Sequence, residues 1–243
     1  MKKESLYCRL FLLFIIGILF FVSCNNKSYI KRLQEFEEGV SRPTSEAELK
    51  EAIQKYERRV NDIMIAEGRI GIWYKILGSR YMDQKMYKKA LECFRRALEL
   101  YPENQNIFYQ VGLSASLIAK NTLDFDLKGA DKEKQKYYDL AVSAYKRAIE
   151  IDPNYSRAIY SLSVLYVFEL NRPDEAISLL EKIVNIQKKP IDYMFLLARA
   201  YFMTGEHEKS VSVYSKIMET TSSQEKKSEA EQNIKFIREL EKN

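Results

Sequence analysis

Residues that usually carry catalysis or bind metals are scarce in this chain. Its 243 residues include one histidine, His207, which stands in a turn between two helical segments with no base or metal ligand placed beside it. No set of histidine, cysteine and carboxylate residues has metal-site spacing, and Gly68 and Gly71 mark a helix boundary rather than a phosphate-binding loop. We therefore expect no enzyme activity, no bound metal and no cofactor.

Cysteine is also sparse, with three residues in the chain. Cys8 and Cys24 fall within the first 24 residues, which leaves Cys93 in the body of the sequence. A lone cysteine on a helix is usually a small buried apolar residue. We therefore predict that Cys93 packs in the core, and that no disulfide forms if Cys24 is modified.

The chain has no strong excess of charge. The formal net charge is +5, but the first 23 residues contribute Lys2, Lys3 and Arg9 against Glu4. The remaining residues hold 36 basic and 33 acidic side chains. Such a mild positive charge does not indicate a nucleic-acid-binding protein.

The first 24 residues have the order of a secretory signal. A charged start is followed by an apolar run from Leu10 to Val22, and then by Ser23 and Cys24. This run of 13 residues is shorter than the roughly 20 that a membrane-spanning helix needs. Residues 1–23 are therefore predicted to be a cleaved signal peptide.

The end of this segment resembles a bacterial lipoprotein signal, in which a small residue precedes a cysteine that is acylated and becomes the new N-terminus. Ser23 and Cys24 match, whereas Phe21 and Val22 depart from the usual residues. The resemblance implies a covalent lipid on Cys24, with residues 24–44 as lipidated cysteine and tether. Asn25 is not the aspartate that retains some lipoproteins at the inner membrane, which favours the outer membrane of a bacterial cell envelope. An ordinary secretory signal, which would leave Cys24 as a thiol, is the alternative.

Beyond residue 44, apolar residues recur at i, i+3 and i+4, which predicts helices. Eight residues also follow the spacing of a known 34-residue repeat: Tyr74, Leu77, Gly78, Tyr81, Ala90, Phe94, Ala97 and Pro102. They resemble the tetratricopeptide repeat, a pair of antiparallel helices. The resemblance implies an all-α protein, a right-handed α-solenoid of about four repeats with helical caps.

Three weaker copies follow the first within a repeat domain at 45–243. The predicted units are residues 71–104, 105–155, 156–190 and 191–222. The third unit has one extra residue, which we place in the turn at residues 171–174. Residues 48–65 have the spacing of half a repeat covering the N-terminal end, and residues 223–243 predict a C-terminal capping helix.

The second unit contains an insertion of about 17 residues near 121–136. Its first half alternates Leu123, Phe125 and Leu127 with charged residues. A long loop in a compact domain is usually functional or disordered. Three interpretations stay open: a second contact site, a plug for a groove, or a solvated loop.

The resemblance also implies a binding groove, because the first helix of each pair lines the concave face in that family. The predicted groove residues are Lys75, Tyr109, Leu113, Arg157, Tyr160, Val164, Phe195, Arg199 and Phe202. Tyr109, Tyr160 and Phe195 occupy equivalent positions, and such an aromatic column favours an apolar peptide or helix as ligand. Alternatively, the column packs on the capping helix or on the insertion.

Two functions fit these features. The first is a membrane-anchored scaffold or adaptor that holds another envelope protein or peptide in its groove. The second is a lipoprotein that encloses a small apolar ligand and works with a transporter. An open groove favours the first function, whereas a closed cavity favours the second.

Overall fold

The structure is a computed structural model that describes residues 45–122, 130–188 and 190–242. These residues form helices joined by short turns, and no β-strand occurs among them. The helices are α1 (Glu46–Asp83), α2 (Tyr87–Leu100), α3 (Gln105–Asn121), α4 (Ala130–Ile151), α5 (Ser156–Val164) with a π-helical turn (Leu165–Glu169), α6 (Pro173–Ile186), α7 (Ile191–Met203), α8 (His207–Thr220) and α9 (Gln224–Leu240). The predicted all-α class is confirmed. The predicted signal peptide and tether lie outside the described residues.

The chain divides into two compact units, one ending at Ile65 and the other beginning at Ala66. Within the second unit, each helix from α2 to α9 packs against the next along the chain. Buried apolar side chains form three adjoining clusters between these helices. This serial packing of helix pairs is the predicted α-solenoid.

Helix α1 begins at a capping box. The backbone N–H of Glu48 donates to Ser45 Oγ at 3.3 Å, and the backbone N–H of Ser45 donates to Glu48 Oε2 at 3.2 Å. The helix then continues without a break to Asp83. The predicted helix boundary at Gly68 and Gly71 is therefore wrong, and residues 48–65 form no separate helix of a half-repeat.

The two glycines make room for a tyrosine instead of ending the helix. Tyr101 donates its hydroxyl to the carbonyl oxygen of Gly68 at 2.8 Å. A Cβ atom on Gly71 would lie 2.6 Å from the Tyr101 ring. A glycine inside a helix costs about 1 kcal/mol relative to alanine, and here the close approach of Tyr101 offsets that cost.

Three turns within helix pairs have the same construction. Each has three residues, and the middle one adopts a left-handed conformation: Lys85 (φ 58°), Asn171 (φ 51°) and Gly205 (φ 79°). The N–H of the third turn residue then donates to the carbonyl oxygen of a tyrosine in the preceding helix, namely Tyr81, Tyr166 or Tyr201. The turns are therefore equal in length in the first, third and fourth repeats.

The extra residue of the third repeat consequently does not lie in its turn, where the sequence pattern placed it. It is accommodated by the π-helical turn Leu165–Glu169. The closing hydrogen bond from Arg172 N–H to Tyr166 O, 2.8 Å long, spans one residue more than the equivalent bond from Met86 to Tyr81. A π turn widens the helix by one residue, so the regular turn can follow.

Part of the insertion is helical. Residues 130–136 form the first turns of α4, which corrects the expectation of a loop up to residue 136. This extension brings Glu133 to 3.3 Å from the ammonium group of Lys88 on α2. Shortly after it, Tyr138 donates its hydroxyl to Glu169 in the π turn at 2.8 Å. Leu123, Phe125 and Leu127 lie outside the described residues.

Candidate peptide-binding groove

A cavity of about 180 Å³ opens between α3, α4 and α5. Three predicted groove residues line it: Leu113 from α3, and Tyr160 and Val164 from α5. The other lining residues are Ser116, Leu117, Lys120, Tyr138, Tyr145, Ser161, Leu165 and Glu169. Its wall is mostly apolar with a few polar groups, which is typical of a binding site.

Tyr145 forms one wall of this cavity and is almost completely buried. Its ring packs closely against the backbone at Gly112 and lies 6.0 Å from the ring of Tyr109. Its hydroxyl oxygen is 3.4 Å from Ser116 Oγ. Burial raises the pKa of the Tyr145 phenol well above its ordinary value, so this wall stays neutral.

The rim of the cavity is polar. Glu169 accepts a hydrogen bond from the Tyr138 hydroxyl at 2.8 Å, and the ammonium group of Lys120 lies 3.6 Å from its other carboxylate oxygen. Neither Tyr138 nor Glu169 was predicted from the sequence. Tyr138 follows the insertion, and the orientation of Glu169 depends on the π turn, so repeat spacing alone could not place them.

Other predicted groove aromatics pack within the protein. Tyr109 contacts Tyr145 and Tyr155, and Phe195 lies 5.9 Å from Tyr214. Phe195 and Phe202 both belong to the cluster that includes buried residues of α9. Phe195 thus packs on α8, whereas Phe202, which is outside the column, lies 5.9 Å from Phe236 of the capping helix α9.

Tyr160 differs from these aromatics because 37% of its surface is exposed. It packs edge-on against Tyr193, with 5.3 Å between ring centroids. Of the three equivalent aromatics, Tyr160 is therefore the one that combines exposure with a position on the cavity wall.

The predicted cationic residues lie apart from the cavity lining. Arg157 and Arg199 lie on α5 and α7, and Lys75 is partly buried on α1. Within the described ranges, none of the three forms an ion pair. Their role in binding stays a prediction.

His207 has partners that the sequence did not indicate. Its ring stacks on Phe202 at 5.3 Å, and its Nδ1 atom is 3.5 Å from a carboxylate oxygen of Glu241. Cys93 is buried, as predicted, and burial raises the pKa of its thiol. Among residues 45–122, 130–188 and 190–242, no three histidine, cysteine or carboxylate residues lie close enough together to hold a metal ion.

None of the described helices combines the length and the apolar character that a membrane crossing needs.

Comparison with known proteins identifies the repeats. Three family models, each described as a tetratricopeptide repeat, match residues 72–104, 134–193 and 192–220. A "TPR repeat-containing protein" from Borreliella burgdorferi is 26% identical over 219 residues, which cover 88% of this chain and 93% of that protein. A human protein, Protein O-mannosyl-transferase TMTC1, is 24% identical over 59% of this chain but only 16% of its own length.

Solved structures share the fold. MamA from Desulfovibrio magneticus RS-1 aligns with a TM-score of 0.58 and 16% identity, over 71% of this chain and 86% of that one. Human IFIT1, solved as a dimer with m7Gppp-AAAA, aligns with a TM-score of 0.59 and 17% identity, over 70% of this chain and 39% of its own. Together with the serial helix pairs, these matches show that the chain contains tetratricopeptide repeats arranged as an α-solenoid.

Proposed function

We propose that this protein is a membrane-anchored scaffold that binds another cell-envelope protein by taking an apolar side chain of that partner into the cavity beside Tyr160. The observation that carries the proposal is an open apolar cavity with a polar rim, in a repeat fold suited to protein–protein interaction. The rim groups, Lys120 and Glu169, can hydrogen-bond the partner backbone on either side of the inserted side chain.

The size of this particular cavity suits a side chain of a protein partner better than an enclosed small ligand. Pockets that enclose drug-sized molecules usually measure roughly 300–1,000 Å³. The cavity here, at about 180 Å³, suits one large side chain and is open on one side. A lipoprotein that carries a small apolar molecule would need a larger, enclosed site.

Anchoring through Cys24 completes the proposal. The support is the signal-like N-terminal sequence that ends at Ser23 and Cys24. More than one acyl chain on a cysteine gives stable membrane attachment, because each buried methylene contributes about 0.8 kcal/mol. A tethered groove meets membrane partners at an effective concentration on the order of millimolar, so the outer membrane, the favoured location, would be part of its binding function.

A site-specific cross-linking experiment tests the groove. A photoreactive phenylalanine at Tyr160 should cross-link a discrete partner in intact cells, whereas the same residue at Phe168, which is exposed but does not line the cavity, should not. Val164→Phe should remove the cross-link from position 160 by filling the cavity, while circular dichroism shows that the helix content is retained. Equal cross-linking from both positions, or an unaffected cross-link in the Val164→Phe protein, would refute the groove.

The anchor has a separate test. Wild-type protein should carry the mass of acyl chains and sediment with outer-membrane vesicles, and Cys24→Ser should lose both properties. An unmodified Cys24 in the wild-type protein would refute the anchor while leaving the groove proposal intact.

A further inference from the structure

Helix α1, the first helix of the compact unit that begins at Ala66, has an exposed face at positions that are buried in the later repeats. Trp73 is 63% exposed, although Ile107, which holds the same position in the second repeat, is 1% exposed. Leu77 is 40% exposed, and its counterpart Val111 is 3% exposed. The third repeat follows the second, since Ala158 and Leu162 at these positions are also buried. The fold therefore covers this face in the later repeats.

What covers it there is the second helix of the preceding repeat. Ile107 and Val111 pack in one cluster with Ala90, Phe94 and Ala97 of α2. In the unit that begins at Ala66, α1 is the first helix. Its outward face consequently retains the shape and apolar character of a surface that receives another helix.

The charges on this face specify the helix that would fit. Arg69, Trp73, Ile76 and Arg80 follow a spacing of four, three and four residues, so they form one line along α1, here named the α1 stripe. In the later repeats the position of Arg80 holds small or apolar buried residues, namely Ser114, Leu165 and Ala200. In the part of the chain that the structure describes, neither arginine forms an ion pair. A helix that carries a carboxylate as well as apolar groups would therefore complement this face.

The last helix of the same chain presents such a surface. Helix α9 buries Ala230, Ile234 and Ile237 against α7 and α8. An adjoining face exposes Glu225, Glu229, Gln232, Phe236 and Leu240, which follow a helical spacing of three or four residues and are here named the α9 stripe. The exposed Phe236 ring also lies 5.9 Å from the ring of Phe202 on α7. Phe236 and Leu240 are 53% and 47% exposed. The α9 stripe thus combines two carboxylates with two large apolar side chains.

In an antiparallel arrangement the two stripes can form one aromatic pair and one charge pair, with Arg69 at the edge next to Leu240. Trp73 and Arg80 are seven residues apart on α1, and Phe236 and Glu229 are seven residues apart on α9. Seven helical residues span about 10.5 Å, so Phe236 can lie on Trp73 while Glu229 meets Arg80. We propose that the protein associates head to tail, with the α9 stripe of one copy docked on the α1 stripe of the next.

This interface uses two different surfaces, so each copy that binds leaves one α1 stripe and one α9 stripe free. Such heterologous contacts extend into open chains unless the geometry closes a ring. The proposal is independent of the cavity beside Tyr160, because none of the stripe residues lines it.

Complementation of two variants tests the arrangement. The wild-type protein should show a mass that rises with concentration in analytical ultracentrifugation. Trp73→Glu and Phe236→Glu should each be monomeric alone, yet an equimolar mixture should form a dimer, because one intact stripe of each kind remains. Phe168→Glu, a change at another exposed aromatic, should associate like the wild type, and circular dichroism should show equal helix content in all of them.

Each other outcome contradicts the proposal. A wild type that stays monomeric would mean that a different partner or segment covers the α1 stripe. A mixture that stays monomeric, or loss of association with Trp73→Glu but not with Phe236→Glu, would exclude head-to-tail docking.

Charge reversal tests the orientation of the helices. Arg80→Glu and Glu229→Arg should each weaken self-association at least tenfold, and a single chain that carries both changes should recover most of it. Added salt should weaken the wild-type association, because the pair is at the surface. A double variant as defective as the single variants would overturn the proposed pairing.

Discussion

Replacing Gly112 by alanine should have two effects: it should destabilise the protein, and it should narrow the cavity beside Tyr160. The added Cβ atom would lie 2.6, 2.7 and 3.0 Å from three atoms of the Tyr145 ring. Carbon atoms pack best at roughly 3.5–4.0 Å, so the ring would have to retreat by about 1 Å. Tyr109 and Ser116, one turn before and one turn after Gly112 on the same helix, also contact the Tyr145 side chain and would lose part of those contacts if the ring moved.

The expected size of the effect follows from two opposing contributions. Overpacking a well-filled core costs about 1–3 kcal/mol, and the upper end applies because three ring atoms clash. Alanine in place of glycine returns about 1 kcal/mol through its better helix propensity. The net loss should be about 2 kcal/mol in the free energy of unfolding, measured by urea denaturation followed by circular dichroism.

Gly205→Ala is the matched control. A Cβ atom at Gly205 would meet nothing within 4 Å, but the residue has a φ of 79°. Its cost is therefore purely conformational, about 1 kcal/mol after the smaller entropy of the unfolded chain is counted. Cross-linking from position 160 should persist in this variant and fall in Gly112→Ala, because the displaced Tyr145 ring belongs to the cavity wall.

A double-mutant cycle with Tyr145→Leu would show whether the clash is the cause. The smaller side chain should remove most of the extra cost of the Gly112→Ala change, which gives a coupling free energy of roughly 1–2 kcal/mol. Strictly additive effects, or a Gly112→Ala variant as stable as the wild type, would refute the assignment of the clash to Tyr145.

Three further predictions concern single groups. Ser163 is fully buried and its hydroxyl has no hydrogen-bond partner within the described structure, so Ser163→Ala should raise the free energy of unfolding by about 1 kcal/mol; a loss of stability would contradict this. Cys93 is buried, and its burial also raises the pKa of the thiol, so iodoacetamide should modify it slowly in the folded protein at mildly alkaline pH; labelling as fast as that of the unfolded chain would contradict this. Burial and the nearby carboxylate of Glu175 raise the pKa of Tyr166 to about 12, whereas an unfolded tyrosine ionises near pH 10, at about its reference value. Stability should therefore fall between about pH 10 and 12, because the unfolded chain loses its proton first, and Tyr166→Phe should reduce that fall; equal slopes for both proteins would refute it.

The sequence was sufficient to predict the repeat fold because its packing positions are encoded locally. Gly78 lies against Phe94, and Gly112 lies against Tyr145. Both pairs hold the same two positions of the repeat pattern, although the insertion separates the second pair further along the chain. Small residues opposite large rings identify where two helices cross closely. Leu113, Tyr160 and Val164 could be placed near one another by the same reasoning, since they share the inner positions of consecutive first helices.

Contacts that lie outside the repeat pattern could not be predicted in this way. Glycine usually weakens a helix, so Gly68 and Gly71 indicated an end to α1, and only the position of Tyr101 explains why the helix continues. The same limit applies to the aromatic column. The spacing that aligned Tyr109 with Tyr160 gives no information about which neighbour, such as Tyr155, will cover one ring and leave the other exposed.

The π turn shows how one extra residue connects the fold to the proposed binding site. Spacing alone could not locate that residue, because a longer turn and a widened helix shift the following positions equally. If the extra residue lay in a longer turn, Glu169 would belong to a regular α-helix. Its side chain would then point about 100° away from its present direction around the helix axis, because each helical residue turns by that angle. With the extra residue inside the helix, the Glu169 carboxylate reaches Tyr138 and Lys120 at the cavity rim. Because π turns are frequent at functional sites, the irregularity in the third repeat supports placing the binding site at this rim rather than along the whole groove.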